Sequence, residues 1–137
     1  MSEPKYYIGC KRVQAYPESS PEGAQGYAVI YPDGYKSWSP KEVFESAYLE
    51  MGDDPTRISE KMVDDFIVSN ISTRMESSTV VQFKMRNGFT LVESSACADP
   101  DNYDHELGVS ICKQRVKPAV WSLLGFLLKS AIEGFKK

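Results

Sequence analysis

The stretch that most constrains this chain is its last apolar run, AVWSLLGFLLKSAI at Ala119–Ile132. As a helix these fourteen residues reach only ~21 Å, short of the ~30 Å hydrocarbon core of a bilayer. A helix that is apolar on nearly every side must instead be covered by protein from several directions. In a chain of 137 residues, that demand implies a sheet or helices packed against it and a second chain supplying part of the cover. Pro118 stands at its start, removes a backbone donor, and predicts a kink or break in a C-terminal helical region spanning Pro100–Phe135.

The rest of the sequence supplies that cover in short pieces. Lys5–Tyr16 reads as a strand and 17–25 as a loop. Gly26–Tyr31 and Tyr35–Trp38 form a hairpin around Pro32-Asp33-Gly34. Ser39, Pro40 and Glu42 compose a capping box ahead of a helix over Pro40–Met51, whose stripe is Val43, Phe44, Ala47, Tyr48 and Met51. A second helix is expected over Ser59–Asn70, with Arg74–Ser78 as a polar connector.

Asn87-Gly88 lies between VVQFKMR and FTLVESS, the favoured composition for a two-residue type I′ turn. Counting outward from that turn sets Arg86 against Phe89 and Phe83 against Val92. Val81, Phe83, Met85, Thr90 and Val92 then share a core face. Gln82, Lys84, Arg86, Phe89, Leu91 and Glu93 share the other. The expected fold class is α+β: one antiparallel sheet of about five strands, helices packed on it, and a long, Pro-interrupted C-terminal helical region. An N-terminal module is expected over 1–52 and the remaining elements over 53–137.

Composition narrows function. Net charge −3 and a spread of 16 basic residues argue against generic duplex binding, which rests on clustered cations. No apolar run is long enough to cross a membrane, and MSEPKYYIGCKR has no signal-peptide core. Cys10, Cys97 and Cys112 are odd in number and form no CxxC, so they read as reduced thiols. His105 is the only histidine. Asp101 and His105 sit one helical turn apart, which reads as a surface ion pair ahead of a metal site. Cys97 precedes a helix cap at Asp99-Pro100, and a small buried strand-end residue is its ordinary reading. No glycine-rich phosphate loop or nucleophile elbow is present. These residues argue for a binding protein, with no enzyme activity, metal or cofactor expected.

Two groups suit a flat anionic ligand. Lys84 and Arg86 beside Phe89 offer cations and a stacking ring, with a solvated cross-strand pair as the plainer alternative. Tyr31, Tyr35 and Trp38 beside the Ser39 cap offer aromatics at a helix start, with Trp38 as core the plainer alternative.

Two segments carry resemblances. KYYIGCKRVQAYP with GYAVIYPDGYKSWSPKEVFESAY resembles an N-terminal module of small phage proteins, including Thoeris anti-defence proteins that sequester a cyclic ADP-ribose-type signal. TVVQFKMRNGFTLVESSACADPDNYDHELGVSICKQRVKPAVWSLLGFLL is similar to the gene-49/gene-66 family of tailed phages. Asn87, Gly88, Phe89, Cys97, Pro100, Asn102, Gly108, Trp121 and Leu124 fall on its pattern, and Phe126 departs from its usual Tyr. Asn102 joins the candidate ligand-binding residues on that ground. Together the resemblances imply a homo-oligomeric, non-enzymatic sponge for a nucleotide immune signal in the infected host's cytoplasm. An inhibitor that binds a host protein is the rival.

Overall fold

A computed structural model describes residues 2–136 and divides into two compact units, Met1–Met51 with Phe126–Lys137, and Gly52–Gly125. The architecture is mixed α+β. Instead of one sheet of about five strands there are two antiparallel three-stranded sheets, one in each unit.

In the first unit, β1 (Gln14–Pro17), β2 (Gly26–Ile30) and β3 (Lys36–Pro40) pair in sequence order. Ala28 and Val29 of β2 are buried. The β2–β3 hairpin turns where Pro32-Asp33-Gly34 predicts, but the expected strand Lys5–Tyr16 shrinks to β1. Helix α1 covers only Lys41–Ala47. Ser39 does not cap it, because Ser39 is held in β3 opposite Tyr27 and its hydroxyl donates to the Pro40 carbonyl. Tyr27, Phe44 and Tyr48 stack in series at 4.5 and 4.8 Å. The Tyr27 hydroxyl donates to Glu45 at 2.6 Å, which holds its pKa above the ordinary phenol value.

In the second unit, α2 (Glu60–Phe66) is capped by Ser59, whose hydroxyl accepts from the Met62 N–H. The expected helix through Asn70 ends early. Ile67–Met75 is instead β4, an edge strand paired with β5 (Ser78–Met85), so the predicted polar connector is sheet and turn. β6 (Thr90–Ala96) completes the order β4-β5-β6. Rich in Ile, Val and Thr, β4 suits a strand. Its apolar spacing continues the stripe of α2, which is why the sequence reads as helix there.

The β5–β6 turn is not type I′, which needs positive φ at both central residues. Among the described residues only Glu76 and glycines have positive φ, so Asn87 does not qualify. Met85 N–H donates to Phe89 O at 2.8 Å and Gly88 N–H to Met85 O at 2.9 Å, closing a three-residue loop with Gly88 at φ 86. The register slips by one, Phe83 meeting Leu91 and Lys84 meeting Thr90. This turns β6 over: Thr90 and Val92, expected in the core, are exposed, and Leu91 is half-buried.

Helix α3 (His105–Glu133) follows a 3-10 turn at Pro100–Asn102 and runs through Pro118 without a break. Pro118 lies on an exposed face, where water can take the orphaned carbonyl. Gly108, Cys112, Val116, Val120 and Leu124 are its buried residues. Four-residue steps advance about 40° each on a helix of 3.6 residues per turn. The buried stripe therefore winds around α3, and the sequence looks apolar all round. A Cβ at Gly108 would strike the Thr79 side chain, so helix and strand meet closely there.

Candidate functional site

The predicted ligand residues separate into three places. At the β5–β6 hairpin end of the second unit, Arg86 and Phe89 flank the loop, both exposed, Phe89 by 53%. The slipped register breaks up the predicted shared face. Lys84 projects outward with Thr90, while Phe89 stands opposite Met85. The Arg86 N–H donates to Phe66 O at 2.9 Å, tying the loop to the end of α2.

Beside that tie lies a groove of about 250 Å³, lined by Ile67, Val68, Ser69 and Asn70 of β4, Phe83 of β5, Asp64 of α2, and Lys113, Val116 and Lys117 of α3. Each contributor has a local cause. A bulge between Ile67 and Ser69 interrupts pairing with β5, and such bulges re-aim side chains. Lys113 and Lys117 are one helical turn apart and project from one side of α3. Lys117 pairs with Asp64 at 3.1 Å, and Lys113 is exposed with no ion pair among the described residues. The groove thus offers an unpaired cation and an amide over the apolar floor of Phe83 and Val116. Sequence reasoning missed it. The lysine spacing was legible, but a helix read through Asn70 concealed the strand that forms the opposite wall.

Tyr35 and Trp38 belong to the first unit. Trp38 is structural: its indole N–H donates to the Glu18 carbonyl at 2.7 Å and its ring lies over Gly26, where a Cβ would strike it. Tyr35, 62% exposed, stacks on Tyr31 at 5.8 Å, and the Lys11 ammonium sits 5.3 Å from the Tyr31 ring. Asn102 is exposed in the 3-10 turn, which follows the β6 terminus and so lies at the end of the sheet away from Arg86 and Phe89.

At that far end a hydrogen-bonded chain links four side chains. Thr79 Oγ1 meets the Tyr103 hydroxyl at 2.8 Å, Tyr103 meets His105 Nδ1 at 2.7 Å, and His105 Nε2 meets Ser72 Oγ at 3.0 Å. Arg74 covers the Tyr103 ring at 4.0 Å. A neutral imidazole donates from one nitrogen and accepts at the other, so the chain is satisfied in either direction. It pins the start of α3 to β4 and β5. Sequence reading pairs His105 with Asp101 on one helical face. The structure separates them, because Asp101 is in the 3-10 turn and α3 begins at His105, capped by Asp104 through the Leu107 N–H. No group of three metal-binding side chains occurs among the described residues. Cys97 is a half-buried residue just after β6 whose thiol donates to the Asp99 carbonyl at 3.3 Å, and burial pushes the Cys112 thiol pKa up.

Among the described residues no helix is long and apolar enough to cross a membrane. No curated protein and no solved structure matches the chain significantly. A family model does match, over residues 54–132, a span that takes in α2, the β4-β5-β6 sheet and nearly all of α3. More than half of the sequence lies within it, and the chain belongs to the phage protein (N4 Gp49/phage Sf6 gene 66) family.

Proposed function

We propose that this phage protein is a non-enzymatic binder that sequesters a nucleotide-type immune signal in the host cytoplasm, using the hairpin end of its second unit. One observation carries the reading: a locally cationic groove with an apolar floor, in a chain of net charge −3. Lys113 meets phosphate oxygens as a point charge, and Asn70 orients the ligand. Arg86 and Phe89 stand at the same end of the sheet, an exposed cation and ring suited to a nucleobase. The likeness of residues 5–17 and 26–48 to the Thoeris anti-defence module supports the choice of signal.

The protein is incubated with cyclic ADP-ribose isomers or cyclic oligonucleotides, filtered, and heated. A sponge releases the compound intact; converted product or an empty protein overturns the reading. Arg86→Ala, Phe89→Ala and Lys113→Ala each weaken binding by about 1–3 kcal/mol, the range for a lost stack or charged hydrogen bond.

The rival, inhibition of a host protein, draws on Trp121, Leu123, Phe126 and Leu127, exposed apolar residues of α3. Capture of a host protein with no nucleotide uptake would favour it.

A further inference from the structure

Among the described residues the N-terminal arm holds the most exposed large hydrophobic side chains. Tyr6, Tyr7 and Ile8 are 105, 90 and 89% exposed, and residues 5–9 have no regular structure. Among the described residues they make no hydrogen bond, ion pair or ring contact. The chain is anchored just after them, where the Cys10 thiol donates to the Leu127 carbonyl at 3.5 Å. Lys-Tyr-Tyr-Ile is a strand-forming sequence, and three consecutive large apolar side chains in water are costly.

The second unit holds a surface that suits them. The outward face of the β4-β5-β6 sheet presents rows set by the register: Met75, Ser78 and Ala96; Thr73, Val80 and Ser94; Ile71, Gln82 and Val92; Ser69, Lys84 and Thr90. Lys84, in the end row, is its only charge, whereas a solvated surface ordinarily carries charge at a quarter or more of its positions. Depletion of charge around exposed apolar side chains such as Met75 is a mark of an interface core. Ile71, Met75 and Val92 are 72, 61 and 59% exposed. The hydroxyl and amide groups between them match tyrosine, which brings an apolar ring and a polar tip.

We propose that residues 5–9 of one copy pack on the outward face of this sheet in a second copy, forming a symmetric arm-exchanged homodimer. A second copy supplies both halves of the contact, and a two-fold axis repeats it, so no apolar arm or sheet face is left over. Area agrees. Tyrosines bury roughly 150–250 Å² each, so two arms bring about 1,000 Å² and their receiving faces as much again, at the upper end of a standard interface. This dimer does not depend on the proposed ligand.

Sedimentation equilibrium at tens of micromolar tests it, with Tyr6→Ser/Tyr7→Ser/Ile8→Ser and Val92→Lys as variants and Val43→Lys as control. All five substituted positions are exposed, so the fold should survive. The wild type and Val43→Lys should sediment at twice the monomer mass, while the arm variant and Val92→Lys should associate at least tenfold more weakly. Isotope-filtered NMR on a mixed-label sample should show intermolecular contacts from the Tyr6 and Tyr7 rings to the Ile71 and Val92 methyls. A monomeric wild type, a dimer indifferent to both variants, or arm-to-sheet contacts confined to one chain would each overturn the proposal.

Discussion

The β2–β3 and β5–β6 hairpins of this protein are built alike and read differently. In the first unit the Tyr31 N–H donates to Tyr35 O at 2.9 Å and the Gly34 N–H to Tyr31 O at 2.8 Å; in the second, Met85, Phe89 and Gly88 repeat the pattern. Each loop has a glycine in the left-handed region, Gly34 at φ 90 and Gly88 at φ 86. Each has an Asx side chain accepting from the N–H that follows that glycine: Asp33 from Tyr35 at 2.9 Å, Asn87 from Phe89 at 3.0 Å. Both are type I turns closed by a glycine bulge. Only the first announces its length. Pro32 cannot adopt positive φ, which excludes type I′. Asn87-Gly88 is compatible with either loop, so contacts beyond the hairpin choose.

The comparison breaks or sharpens at specific residues. The largest effect belongs to Phe83→Ala, a truncation at 1% exposure that should cost about 3–5 kcal/mol in urea denaturation. A loss under about 1 kcal/mol would mean the second hairpin does not carry its unit's core. Next comes Arg86→Pro, which copies Pro32 into the equivalent loop position. It should destabilise by about 1–3 kcal/mol because it removes the N–H bonded to Phe66 O. Pro32→Ala, with no such tie, should cost only about 0.4–1 kcal/mol.

Register is tested by a pair. Leu91→Glu should cost about 1–2 kcal/mol as a half-buried leucine, and Thr90→Glu should stay within about 0.5 kcal/mol. A two-residue turn would reverse that order. Asp33→Ala and Asn87→Ala should each cost about 0.5–1.5 kcal/mol, one hydrogen bond apiece. Equal losses would support a common construction, and a silent Asn87→Ala would break it.

The proposed site was legible in part for a related reason. Arg86 and Phe89 were visible because a hairpin tip projects its side chains whatever its register. The groove beside them was not, because Asn70 and Ser69 become a wall only once β4 is a strand. Ser39 departs from its expected role as a cap, while Trp38 follows the plainer, structural reading. As a strand residue Ser39 cannot cap, and Trp38 meets Glu18, which no local pattern announces.

Local chemistry determined what local chemistry can. It set the α+β class, the β2–β3 hairpin with its length, the alternation along β5, and the solvent-averse segment that became α3. Each follows from φ restriction or side-chain periodicity within a few residues. Tertiary structure decided the rest: the end of α2 and start of β4, the register of β6, and the division into two sheets. In each case two local conformations of similar energy were open, and pairing with a distant strand selected one. Phe66 O accepting from Arg86 lies where the first two of these decisions meet, because one bond there stops a helix, starts a strand and holds the hairpin loop.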